Sequence, residues 1–196
     1  ILRYYGRDLD QHELAQLVQT SATKGTDPET MVDVLRKLSV PLGFKIQEIE
    51  QFTVPGFLRL VAKYNVLARA SGKAVITYGN PIDLDAIYQA MDIALLRDVR
   101  LKQKAGYGDF RACVDKYIRL GLPLVWTVVV GKIAEQPAIQ GSGGHMRLIV
   151  GLNQRTAELL YSDSWGPGHE LKRMALEDAW TITHGLYLIE PRHTTL

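Results

Sequence analysis

His145 and Asp163 are the two residues whose types and surroundings could do chemistry. A histidine whose ring is held by a carboxylate is the base half of a nucleophilic site. The acid fixes the tautomer and stabilises the imidazolium that forms when the ring takes a proton. A plainer reading stands beside each. A histidine on an apolar strand can be a satisfied core side chain, and an aspartate shortly before Gly166 can cap the backbone N–H groups of a turn. Trp126 reads as a core aromatic, and Trp165 is either the same or a shield that keeps water from the His–Asp pair.

The pair lacks a nucleophile. Cys113 is the single cysteine, and it falls one turn into a helix on an apolar face with Phe110, Val114 and Tyr117. An activated thiolate needs a helix N-terminus or a neighbouring cation and must be accessible, so Cys113 reads as a buried, inert thiol. Ser142 lies within Gly141–Gly144 but lacks the flanking pattern of a nucleophile elbow. His12, His169, His184 and His193 show no metal-ligand spacing with one another or with the cysteine and read as surface histidines. No metal and no cofactor is expected.

Two neighbouring strands must hold the pair. Residues 143–151 enter through glycines, run through Met146, Leu148, Ile149 and Val150, and read as a buried strand carrying His145; residues 158–162 form the next, with Asp163 at its end and a polar turn at 153–156 between them. Residues 124–130 are a continuous apolar run and the best candidate for a central strand. The Gly- and Gln-rich stretch 132–144 is a long loop where a site rim would be. After Trp165, a turn at Pro167-Gly168, a short helix over 175–183 and a strand over 186–189 close the chain.

The first half reads as helical. Asp10 with Glu13 has the form of a capping box for a helix to about residue 20, and Thr26, Asp27, Pro28 and Glu29 supply the start of a second that runs to about 39. Phe44, Ile46 and Ile49 suggest an exposed or edge strand. Helices are expected over 55–70, over 84–95 with Asp83 as cap, and from a cap at Asp109 to Gly121, with loop over 102–108. Helices first and a mostly antiparallel sheet last is the α+β arrangement.

Bulk composition bounds the rest. The 196 residues carry 23 basic and 21 acidic side chains, a net charge of +2, without long runs of one sign, so nothing asks for nucleic acid. No apolar run approaches the roughly 18 residues needed to span a bilayer, and no membrane insertion is expected. One cysteine excludes an internal disulfide. Residues 1–6 look like the last turn of a helix closed by Gly6, which suggests that chain precedes Ile1.

Tyr4-Tyr5-Gly6 followed by Glu13-Leu14-Ala15, then Gly25-Thr26 opening a second helix, resembles the N-terminal half of the bacteriocin-processing cysteine peptidases and their stand-alone relatives, which have a papain-like fold. Gly121-Leu122-Pro123-Leu124-Val125-Trp126, Gly144-His145 with the strand ending at Val150-Gly151, and Tyr161-Ser162-Asp163-Ser164-Trp165-Gly166 are similar to its C-terminal half. The likeness covers both ends and leaves about 51–109 as a helical insertion in a single, N-terminally incomplete domain. It departs from the family at Ser164, where a proline usually follows the acid, and at Met146, where an aromatic or small residue is common.

The resemblance implies a nucleophilic cysteine at the start of a helix that ends in a Tyr-Gly pair like Tyr5-Gly6, with an oxyanion-hole glutamine shortly before it. Both would lie upstream of Ile1, two or three helical turns away. The general base carries over to His145 and its orienter to Asp163, 18 positions on. Cys113 also precedes them in the papain-like order, but its helix face argues against it. The implied protein is a cysteine peptidase or amidase acting on a peptide or protein, secreted or in the cell envelope as exported relatives are, with the cytoplasm open. Some family members are fused to exporters and cut leaders after a double glycine. The alternative is a catalytically silent papain-like domain that binds a peptide.

Overall fold

The computed structural model describes residues 1–21, 26–139 and 141–192. Among these, the chain is α+β, with seven α-helices and a six-stranded antiparallel sheet. It divides into two compact units, Ile1–Glu48 with Tyr187–Leu196, and Ile49–Leu186.

The first unit opens on a short 3-10 turn, Arg3–Tyr5, closed by Gly6 at φ 71°. Helix α1 (Gln11–Leu17) starts where Asp10 accepts from the backbone N–H groups of His12 and Glu13. Helix α2 (Pro28–Ser39) starts where Asp27 accepts from Thr30 N. Each carboxylate satisfies orphan donors of a first turn. Gly25 of the expected helix opening, and His193, lie outside the described residues. Strand β1 (Phe44–Glu50) follows. The Tyr187–Pro191 end of the last strand neighbours it, and Arg192 Nε donates to Phe44 O at 2.9 Å. Tyr5 donates its hydroxyl to Ile189 O at 2.9 Å, and burial pushes the phenol up to about 12.

The second unit holds α3 (Val54–Ala70), α4 (Leu84–Ala90), α5 (Ile93–Lys102), α6 (Lys104–Arg119), β2 (Leu124–Val130), β3 (Gly143–Asn153), β4 (Glu158–Ser162), β5 (Lys172–Ala175), α7 (Leu176–Ile182) and the start of β6 (Thr183–Pro191). Its strands run in the order β6-β2-β3-β4-β5. The antiparallel β2–β3 register sets Val128 against His145 and Trp126 against Arg147. Phe57, Val61, Tyr64, Ile87, Leu96 and Val129 belong to one buried apolar cluster. Trp126 is fully buried and donates Nε1–H to Thr183 Oγ1 at 2.9 Å. Among the described residues no helix is long and apolar enough to cross a membrane.

Three expectations are corrected. The helix expected over 84–95 is two helices. Met91 is extended at ψ 136°, and Lys132 Nζ donates to Gln89 O and Met91 O at 3.1 and 2.7 Å, closing the end of α4. Asp92 then caps α5 through Leu95 N. The loop expected over 102–108 is mostly the start of α6, and Asp109 is inside that helix, not at its cap. Gly106 bears on the override: a Cβ there would lie 2.9 Å from Trp180 Cζ2, so this glycine allows close packing on α7. Strand β5 was not expected, because a four-residue segment opening Lys-Arg carries no apolar alternation.

Asn65, on α3, clamps the backbone of Ile76, accepting from N at 2.7 Å and donating to O at 2.8 Å. Asn65→Ala leaves both backbone groups without that partner and is expected to cost about 1–3 kcal/mol in a urea titration.

Candidate functional site

Strand alternation places His145, Arg147 and Ile149 on one face of β3. The β3–β4 register pairs Leu148 with Ser162, and one more step sets Arg147 opposite Asp163, just beyond β4. A bulge between Ile149 and Gly151 shifts the register only on the far side of this pair. His145 and Asp163 are therefore held by rigid strands close to one edge of the pairing.

The structure brings these two expected residues together. His145 Nε2 lies 2.6 Å from Asp163 Oδ1; the histidine side chain is 20% exposed and the aspartate side chain 0%. Asp163 Oδ1 also accepts from Ser164 N at 2.8 Å, and Asp163 N donates to His169 O at 2.9 Å. Burial pushes the Asp163 carboxyl up, but the His145 hydrogen bond, the Arg147 charge and the Ser164 N–H outweigh it and hold the carboxyl below its usual range. An ionised carboxylate only accepts, so Nε2 carries the proton in neutral His145 and Nδ1 keeps the lone pair.

Behind the pair is a buried ion cluster that sequence reasoning missed. Arg147 Nε stands 2.8 Å from Asp163 Oδ2, an ion pair without hydrogen-bond alignment. Its Nη2 donates to both oxygens of Glu135, at 2.9 and 3.0 Å. Glu135 Oε2 accepts from the Tyr161 hydroxyl at 2.6 Å and lies 2.8 Å from Lys172 Nζ, which also donates to Pro137 O. Arg147, Lys172, Glu135 and Asp163 have side chains nearly or wholly closed to solvent, two cations against two anions. Burial pushes Glu135 up, while Lys172, Tyr161 and Arg147 bring it below its ordinary value. Tyr161 is raised by burial and by Glu135. The available signal was Arg147 itself: a charge two residues from His145 in a buried strand needs a partner.

Trp165 packs on the His145 ring with centroids 5.2 Å apart and is itself 38% exposed, so it covers one side of the imidazole. Gly131 and Gly143, at φ 84° and 116°, bracket the rim loop. A side chain at 143 would meet Asp85 Oδ2 at 3.0 Å, and one at 131 would meet Ser142. Cys113 is half-buried on α6, and burial pushes its thiol up to about 11, the reverse of activation. Two histidines expected on the surface are corrected. His169 is 7% exposed, its main chain tied to the Asp163 turn. His184 stacks with Phe52 and Tyr88, and its Nε2 is buried. Among the described residues no group of three or more His, Cys, Asp or Glu could hold a metal ion. No protein-family profile and no curated protein sequence matches the chain.

Removing Arg147 would leave the buried Asp163 without a guanidinium and Glu135 with Lys172 as its one cation among the described residues. Arg147→Met is expected to lower stability by about 3–5 kcal/mol in chemical denaturation. Asp163 and Glu135 have folded values below their unfolded ones. Their contribution is present above about pH 4 and is lost as pH falls through the folded values. In Arg147→Met both carboxyls rise, so acid unfolding monitored by circular dichroism should begin at a higher pH than in the parent protein.

Proposed function

We propose that the chain is part of a papain-like cysteine peptidase or amidase, with His145 as general base, Asp163 as its orienter and a thiolate supplied by residues preceding Ile1. The observation that carries this reading is the 2.6 Å contact between His145 Nε2 and the closed Asp163 carboxylate. The α+β class and the sequence fragments around Tyr5-Gly6, Gly144-His145 and Asp163 through Gly166 support it.

The roles follow from proton placement. His145 Nδ1 takes the thiol proton, and the thiolate attacks the acyl carbon of a peptide or related amide. The C–N bond breaks as His145 returns the proton to the leaving amine. Water, deprotonated by the same nitrogen, then cleaves the thioester and restores the thiol. Asp163 stays ionised throughout and stabilises the imidazolium. Trp165 keeps water from one side of the ring. No cofactor enters these steps.

The test is alkylation of the full-length protein with limiting iodoacetamide near pH 5.5, followed by peptide mapping. At that pH an unactivated thiol is about 0.1% thiolate. Rapid modification of a cysteine preceding Ile1, slowed on the order of a hundredfold by His145→Ala, is the expected result, with amide hydrolysis falling by about 10²–10⁴ in the same variant. The absence of a reactive upstream thiol would overturn the enzyme reading in favour of a silent peptide-binding domain. Preferential labelling of Cys113 would overturn the assignment of the nucleophile.

A further inference from the structure

A second cleft opens where α3 begins, within the Ile49–Leu186 unit, with a volume of about 260 Å³. At about 30 Å³ per water it has room for roughly eight or nine waters. Arg59, Lys63, Arg100, Gln103 and His184 line it, and Glu50 is the single carboxylate among its lining residues. Phe52, Phe57 and Tyr88 supply aromatic walls. Thr53, Gly56 and Phe57, at the N-terminus of a 17-residue helix, reach the same space, so the positive end of the helix dipole adds to the side-chain charge.

Two costly features converge on this cleft. Arg100 is desolvated yet has no carboxylate within ion-pair distance among the described residues. Its Nε and NH2 are spent on Trp180 O and Thr183 O, its guanidinium stacks 3.9 Å from the Trp180 ring, and Glu50 acts on it only at longer range. His184 has its faces against Phe52 and Tyr88, at 4.8 and 4.7 Å, and its Nε2 is buried without a hydrogen-bond partner. Burial, assisted by the Arg100 charge, pushes this imidazole down to about 3, so it is neutral and can offer one N–H. An unpaired buried nitrogen and a cation without a carboxylate partner each destabilise the fold, and an anionic group in the cleft would offset the Arg100 charge.

We propose that this cleft binds the carboxylate of a small monoanionic ligand with a planar apolar body, held by Arg59, Lys63, Arg100 and an N–H of His184. A carboxylate matches the planar donor edge of a guanidinium. Glu50 adds a repulsion that weighs more heavily on a dianion than on a monoanion. The aromatic walls accommodate a flat apolar body. This site stands apart from the His145 reading and does not rest on it.

Sodium benzoate and its neutral isostere benzamide are the probes, titrated at pH 7 into the whole chain by calorimetry and followed by NMR at the His184 ring. Benzoate is expected to bind with a Kd on the order of a millimolar, as its few heavy atoms allow, and benzamide at least about tenfold more weakly. Arg59 and Lys63 are exposed, so Arg59→Ala and Lys63→Ala should fold normally and each weaken benzoate roughly two- to fivefold. His184→Phe keeps the stack and should weaken it about tenfold. Benzoate binding no tighter than benzamide, resonance changes that bypass His184, or unchanged affinity in all three variants would overturn the proposal. Inorganic phosphate binding as tightly as benzoate would overturn the monocarboxylate assignment.

Discussion

The Arg147–Asp163 ion pair is the constraint around which the His145 region is arranged. A carboxylate closed to water beside a partly buried imidazole would ordinarily rise toward the neutral form, and a protonated Asp163 could donate to Nε2 and reverse the tautomer of His145. The His145 hydrogen bond and Arg147, 2.8 Å from Asp163 Oδ2, together outweigh that burial. Arg147 in turn is tolerable in a buried strand because Glu135 takes its other edge, and Glu135 because Lys172 and Tyr161 reach it. The cluster spans β3, β4, β5 and the rim loop. One charge balance thus ties the loop that frames the site to the strands that carry it.

This arrangement explains local features that otherwise look unrelated. The short β5 exists at the edge of the sheet, and its first residue, Lys172, pairs with Tyr161 in register and ends its side chain at Glu135 and Pro137. The rim loop is held at Glu135 by Arg147, Lys172 and Tyr161 and at Pro137 O by Lys172. The Asp163 turn is fixed on its main chain by His169 O and Gly166 O. These interactions are individually modest, but they share members, so loosening one redistributes charge over all of them.

The strands and their cargo were legible because their signals are local: the apolar runs at 124–130 and 143–151, the turn at 153–156, and a histidine and aspartate at matching depth. The caps at Asp10, Asp27 and Asp83 were legible for the same reason, each being a short-range bond to its own helix. What escaped were contacts made at long range. Lys132 ends a helix more than 40 residues earlier, Trp180 recruits Gly106 into α6, and Asn65 serves as a backbone partner for Ile76. Lys172 has no apolar neighbour pattern to reveal it, and Arg147, a charge in a buried strand, was not read as needing a partner. Propensity is overridden where a distant side chain supplies what the local sequence lacks.

The charge cluster also bears on which nitrogen of His145 carries the proton. With Asp163 ionised and accepting, Nε2 must hold its proton, and the lone pair is at Nδ1. Were Asp163 neutral, it could itself donate to Nε2, and the same two residues at the same distance would then present an N–H at Nδ1 instead of a lone pair. The distance between histidine and aspartate therefore does not by itself define the chemistry. The ionised carboxyl, and with it the tautomer, is favoured by the His145 hydrogen bond, by the Ser164 N–H and, one shell further out, by the Arg147 guanidinium.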